Sequence, residues 1–193
     1  MKTIYLTMVL VALSLVSTAQ VKVGDNAPDF KLLNTDGEMV ALSDYNKEDG
    51  VILVFTCNHC PYAKLYEQRI IDLNKKYKSK KYPVVAINPN DSVAYKVDGY
   101  SYMVDKQYDF PYLLDNKGIF SEYGATKTPH IFLLKNSGDQ FEVAYIGAID
   151  DNPQDASEVK EKYLELAIQS LMEGKTPKYT STKAIGCSIK PFK

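Results

Sequence analysis

The chain predicts an α/β domain, a central mixed β-sheet with helices on both faces. Three observations carry this. Two short, nearly continuous apolar runs rich in β-branched residues, at 51–55 and 84–87, have the length and composition of buried parallel strands. Between them Ala63, Tyr66, Ile70, Leu73 and Tyr77 recur at steps of three and four, which is one face of an amphipathic helix. Two turn signals, Asp36-Gly37 and Asn136-Ser137-Gly138-Asp139, each separate a pair of strand-like segments.

Taken in order, residues 1–19 are read as a cleavable signal peptide. Lys2 supplies the positive start, residues 4–16 are apolar but short for a membrane span, and Ser17-Thr18-Ala19 places small residues at −3 and −1. The mature chain then begins at about Gln20, without the cysteine that lipoprotein processing needs. A domain follows over 20–174. It opens with a hairpin of strands 30–33 and 39–42, then strand 51–55, its helix and strand 84–87. The stretch 91–107 is helical in part, interrupted by Gly99. Strands 130–135 and 141–147 form the second hairpin. A final helix is expected to start at Asp155, where Glu158 three residues on makes a capping box. It buries Val159, Tyr163, Leu164, Ala167, Ile168 and Leu171, and stops at Gly174. Residues 175–193 form a tail expected to dock on the domain through Ile185, Ile189 and Phe192. The right-handed crossover rule fixes the β-α-β half.

Composition excludes several functions. The 193 residues carry a formal net charge of −1, and Arg69 is the only arginine. No basic cluster is interleaved with aromatics, so nucleic acid is not a partner. The 15 tyrosines are scattered and read as packing residues. Three cysteines are too few for a disulfide scaffold, and their odd number leaves one to explain. The leader implies a periplasmic or secreted protein with no membrane span once the signal is cleaved.

The chemistry lies in Cys57-Asn58-His59-Cys60, at the end of a strand and the start of a helix. A structural disulfide there closes a four-residue loop, worth only about 2 kcal/mol from chain entropy. A zinc ribbon needs a second Cys-x-x-Cys, which is absent. Redox function is the reading that remains. Cys57, over the helix N-terminus, is expected to be the nucleophile, with a thiol pKa lowered into the range of roughly 3.5–7.5. Cys60, one turn in, is the resolving thiol, and His59 is expected to favour the Cys57 thiolate. Pro61 is expected to kink the helix. Pro129 in Thr128-Pro129-His130 is a candidate cis-proline.

Gly24-x-x-Ala27-Pro28-x-Phe30, the Cys57–Cys60 motif and Thr128-Pro129 together resemble the thioredoxin-like superfamily, on its AhpC/TSA (redoxin, TlpA-like) branch. Thr56-Cys57-Asn58-His59-Cys60-Pro61-Tyr62-Ala63 and Gly186-Cys187-Ser188-Ile189-Lys190 are similar to a group of exported thioredoxin family proteins. The resemblance implies a thioredoxin fold in which cis-Pro129 faces the active disulfide and Thr128 offers backbone hydrogen bonds to a substrate strand. It also implies a thiol–disulfide oxidoreductase without a cofactor. Its partners are protein thiols or disulfides and a membrane electron relay or a reoxidant. The superfamily's buried acid is replaced by Val51 and its second carboxylate by Ala63, leaving Glu67 as a weak proton acceptor for Cys60. The peroxidatic motif Pro-x-x-x-Thr-x-x-Cys is missing: Gly50 and Val54 precede Cys57, and Leu53 and Cys57 precede Cys60. The same fold could bring His130 near both sulfurs, and Cys57, Cys60 and His130 would suit Cu(I) or Zn(II) in a metal chaperone. Cys187 is either a packed residue or a third exchange partner.

Overall fold

In the computed structural model, which describes residues 20–192, the predicted alternation closes into one sheet of seven strands. The expected signal peptide lies outside the described residues. The first hairpin is β1 (Lys31–Asn34) and β2 (Met39–Ala41), antiparallel, turning through Gly37 at φ +89°. Next come β3 (Gly50–Phe55), α1 (Pro61–Tyr77) and β4 (Val84–Asn88), with Ile52 opposite Val84 in a parallel pair. The chain continues through α2 (Tyr100–Val104), β5 (Tyr112–Leu114), α3 (Ile119–Tyr123), β6 (Lys127–Thr128), β7 (His130–Asn136) and β8 (Phe141–Gly147). It ends with α4 (Tyr163–Met172) and β9 (Cys187–Ser188). The sheet order is β2-β1-β5-β4-β3-β7-β8, while β6 and β9 form a separate two-stranded pair.

β3 lies between a parallel and an antiparallel neighbour and is buried along its whole length. Its alternation splits the core in two, because successive side chains leave opposite faces. Ile52 and Val54 join Tyr66, Ile70 and Leu73 of α1 and Leu164 and Ile168 of α4. Val51, Leu53 and Phe55 join Ile119 and Tyr123 of α3 with Phe132 and Leu134. Buried tyrosines bring their hydroxyls to partners: Tyr66 donates to Asp150, Tyr112 to Asn58 and Tyr145 to the Ala148 carbonyl.

Three local expectations are corrected. β5 has no counterpart in the sequence reading, yet it joins β4, in parallel, to β1, antiparallel. Asp155 caps only a 3-10 turn at Ala156–Glu158, accepting from Ser157 N–H, and α4 begins eight residues later. The cause is a tether: Asp151 receives Lys160 N–H at 3.0 Å and donates its own N–H to Glu161 at 3.1 Å, holding that segment out of the helix. Finally, Pro61 does not kink α1. It occupies the first helical position, where no intrahelical N–H is needed, and the Cys60 carbonyl receives Lys64 N–H at 3.0 Å.

Candidate active site

β3 ends at Phe55, and Thr56 N–H still bonds Ile87 O at 2.9 Å, so the edge of the sheet holds the start of the motif. Cys57 follows in a buried turn, Cys60 is the N-cap of α1, and the Thr128–Pro129 peptide bond opposite them is cis. Cys57 is a free thiol whose Sγ lies 3.3 Å from the Thr128 hydroxyl. Cys60 is disulfide-bonded to Cys187, not to Cys57. Its Sγ lies 3.4 Å from Thr128 O, a contact and not a hydrogen bond, since a disulfide sulfur has no proton. Cys57, Cys60 and Ala63 form one small buried cluster on which Tyr62 and Cys187 pack.

The Cys57 thiol is pushed up, opposite to the expected direction. Burial is the largest cause; the Thr128 hydroxyl and the backbone N–H groups of Cys60 and His59 pull it down, and the Asp98 carboxylate pushes it up. The reason is positional. Cys57 lies four residues ahead of Pro61, where the helix begins, and Cys60 takes the N-cap place. The expected tuning by the His59 ring is likewise replaced by its backbone N–H, while the ring serves a different contact.

That contact is with Asp98, which no spacing in the sequence singles out. Its carboxylate is fully buried. Oδ1 accepts Asn58 N–H at 2.9 Å, and Oδ2 accepts the Asn90 amide at 2.7 Å. His59 Nδ1 lies 2.7 Å from Oδ2, though off the line of a good N–H···O bond, and its Nε2 faces Lys190 Nζ at 3.3 Å. Asn58, Asn88, Asn90 and Tyr112 complete a polar floor: Asn88 donates to Asp98 O and Tyr112 to Asn58 Oδ1, each at 2.9 Å.

The metal set Cys57, Cys60 and His130 is not assembled. The Cys60 sulfur is bonded to Cys187, and His130 Nδ1 accepts Thr126 N–H at 3.3 Å while its ring packs 4.9 Å from Phe132. Burial lowers the His130 pKa to about 4, so it is neutral at ordinary pH. Among the described residues, the ligand-type atoms that gather are those of Cys57, His59 and Asp98, within 4.8 Å of one another. An ion there would have to compete with the bonds that Asp98 already makes. Glu67 lines the small cleft that reaches Cys57, but both its oxygens receive Lys106, at 2.7 and 2.9 Å.

Thr128, through its backbone, pairs with a strand already: β6 and β9 are antiparallel, with Lys127 opposite Ser188 and Thr128 opposite Cys187. No helix among the described residues is long and apolar enough to cross a membrane.

The chain and its fold have relatives. The thiol-disulfide oxidoreductase ResA of Bacillus subtilis is 30% identical over 60% of this chain and 63% of its own length. The chain thus spans just under two thirds of the length of the curated relatives it matches. An uncharacterized conserved protein from Geobacillus kaustophilus is 32% identical, with a TM-score of 0.81 over 89% of this chain and 93% of that one. The exposed lipoprotein thioredoxin of Streptococcus pneumoniae superposes with a TM-score of 0.56 over 76% of this chain and 99% of that one. At 19% identity that likeness is one of fold, the thioredoxin fold. Residues 23–163 match the model of the AhpC/TSA family, and the chain belongs to that family.

Proposed function

We propose that the protein is an exported thiol–disulfide oxidoreductase that exchanges disulfides with substrate proteins through Cys57 and Cys60. One observation carries the reading. A free thiol and a disulfide-bonded sulfur, three residues apart, both meet Thr128 beside a cis-proline. Cys57, as thiolate, attacks a substrate disulfide and expels one substrate sulfur as thiolate. Cys60, when reduced, then attacks the Cys57 sulfur of the mixed disulfide and releases the second substrate thiol. The substrate gains two electrons and the Cys57–Cys60 pair loses them; the reverse sequence oxidises a dithiol. The Thr128 hydroxyl, 3.3 Å away, stabilises the attacking sulfur against the burial that disfavours its charge.

The thiol-disulfide oxidoreductase name of the Bacillus subtilis relative supports the activity, and the leader-like residues 1–19 support export. Export calls for a membrane electron relay for a reductase, or a reoxidant for an oxidase. The family also lends its name to peroxidases, but Gly50 and Val54 stand where a peroxidatic cysteine needs Pro and Thr. The test is insulin reduction with dithiothreitol as donor. Cys57→Ser should abolish it, and Cys60→Ser should accumulate a mixed disulfide through Cys57. Full turnover by Cys57→Ser would sink the proposal.

A further inference from the structure

The segment at 186–190 fills the place where a substrate strand would pair. Its backbone joins Thr128 as β9, and Ile189 N–H bonds Thr126 O at 3.2 Å. On its other side Lys190 N–H bonds Asn90 Oδ1 at 2.9 Å, and Asp91 N–H bonds Lys190 O at 2.7 Å. The strap therefore bridges the cis-proline loop and the loop after β4. Its Lys190 ammonium lies against His59 Nε2 and 4.3 Å from the centre of the Tyr95 ring. Adding a strand to an unpaired edge is a general mode of peptide capture.

Gly186 makes the approach possible. A Cβ there would collide with Thr128 O, and it would lie 2.7 Å from Thr128 C and 3.1 Å from Pro129 N, all backbone. Cys187 then delivers its sulfur to Cys60, in the cluster that also holds Cys57.

We infer that the strap is a tethered substrate and that Cys187 is the third thiol of a relay, an inference resting on the exchange role of Cys57 and Cys60 proposed above. The Cys57 thiolate attacks the Cys60 sulfur. The Cys57–Cys60 bond forms, the Cys60–Cys187 bond breaks, and Cys187 leaves as the thiolate that takes up the proton Cys57 gave up. One disulfide replaces another with no net oxidation, so no outside oxidant is needed. The product differs in position: the disulfide now sits in the Cys-x-x-Cys motif, and the strap has lost its covalent hold on the Thr128 edge. An incoming extended peptide displaces the strap and meets the exchanged disulfide. The strap also indicates the substrate form, an extended segment with a small residue immediately ahead of its cysteine.

The experiment maps disulfides by mass spectrometry after acid quench and alkylation of the full mature chain. Wild type should show Cys60–Cys187 with Cys57 free at pH 6, and a growing share of Cys57–Cys60 with Cys187 free at pH 9. Gly186→Ala, which leaves every cysteine in place, should raise Cys187 alkylation at least tenfold at the same pH. Cys57→Ser should hold Cys187 in its bond to Cys60 under all these conditions. Cys187 equally protected in Gly186→Ala and wild type, or free in Cys57→Ser, would overturn the relay. So would a Cys57–Cys187 bond in place of Cys57–Cys60. Insulin reduction tests the exchange role of Cys57 and Cys60 separately. If Cys187→Ser reduces insulin at the wild-type rate and the mapped bond never moves, the exchange enzyme stands and the relay falls. If the bond moves as described but no variant reduces insulin, the relay stands and the enzyme reading falls.

Discussion

His130 should make the fold lose stability as the pH falls from neutrality toward 4. Its side chain opens β7 beside the cis-proline, packs on Phe132, and has a pKa lowered to about 4 by burial alone. In the unfolded chain the ordinary value of about 6.5 returns. Between those two values the unfolded chain binds a proton that the folded one refuses, and stability rises with pH wherever the unfolded state binds more protons. The contribution is therefore whole above pH 6.5 and gone below pH 4. A gap of about 2.5 units at about 1.4 kcal/mol each is about 3 kcal/mol. The comparison is wild type against His130→Asn, whose side-chain oxygen can accept Thr126 N–H in place of Nδ1. Urea unfolding at half-unit steps from pH 7.5 to 4 gives two curves, and their difference removes the carboxylates common to both. The difference should change by about 3 kcal/mol across the window, with wild type losing more. A flat difference curve would show that His130 is solvated or charged in the folded protein, and would refute the prediction.

Two further predictions concern the site and the helix that carries it. Cys57, measured by iodoacetamide alkylation with the Cys60–Cys187 bond intact, should react more slowly at pH 7 than an unfolded cysteine peptide, its rate still climbing past the ordinary thiol range. Asp98→Asn removes a charge that pushes the thiol up and should move the profile to lower pH, and Thr128→Val should move it higher; a wild-type Cys57 half-point below that of the cysteine peptide would contradict the upward shift. Arg69, the sole arginine, donates to both oxygens of buried Asp150 and to Asn152 O at 2.7–2.8 Å. Arg69→Met strands that carboxylate and should cost roughly 3–5 kcal/mol in urea unfolding, with partial recovery when Asp150→Asn is added. A loss under 1 kcal/mol would mean that water reaches Asp150.

The parts of the fold that were legible are those whose signal is local. Residues 51–55 and 84–87 are apolar because both faces of those strands are covered, and the α1 face repeats at the helical period because one side meets the sheet. β5 escaped since three residues cannot show a period; its place is set by neighbours, β1 and β4, that are distant in sequence. The start of α4 was misplaced because the capping signal at Asp155 was real, yet a tertiary tether from Asp151 outweighed it. In the site, Cys57, Cys60 and Pro129 stood out through spacing and chemistry, and Thr128 through the family resemblance. Asp98 did not: a carboxylate in a polar, aperiodic stretch reads as solvated until Asn58, Asn90 and His59 are seen to surround it. Cys187 was left open between a packed residue and a third exchange partner; its bond to Cys60 was not legible, since that partner lies 127 residues back.

That separation turns most of the chain into a ring. A cross-link spanning 127 residues restricts the unfolded ensemble by about 5 kcal/mol of chain entropy, against about 2 kcal/mol for a bond between Cys57 and Cys60. Moving one disulfide from Cys187 to Cys57 would thus change the restraint by about 3 kcal/mol with the number of bonds unchanged. The same ring matters under load. A pull between the two ends of the described chain runs from Gln20 to Cys60 and crosses directly to Cys187. It bypasses α1, β4 and α4, and falls first on β1, β2, β3 and the short end beyond Ser188. Stretching one molecule with the bond intact should therefore release only those outer segments before a hard stop, and reduction should free the full contour length of the interior.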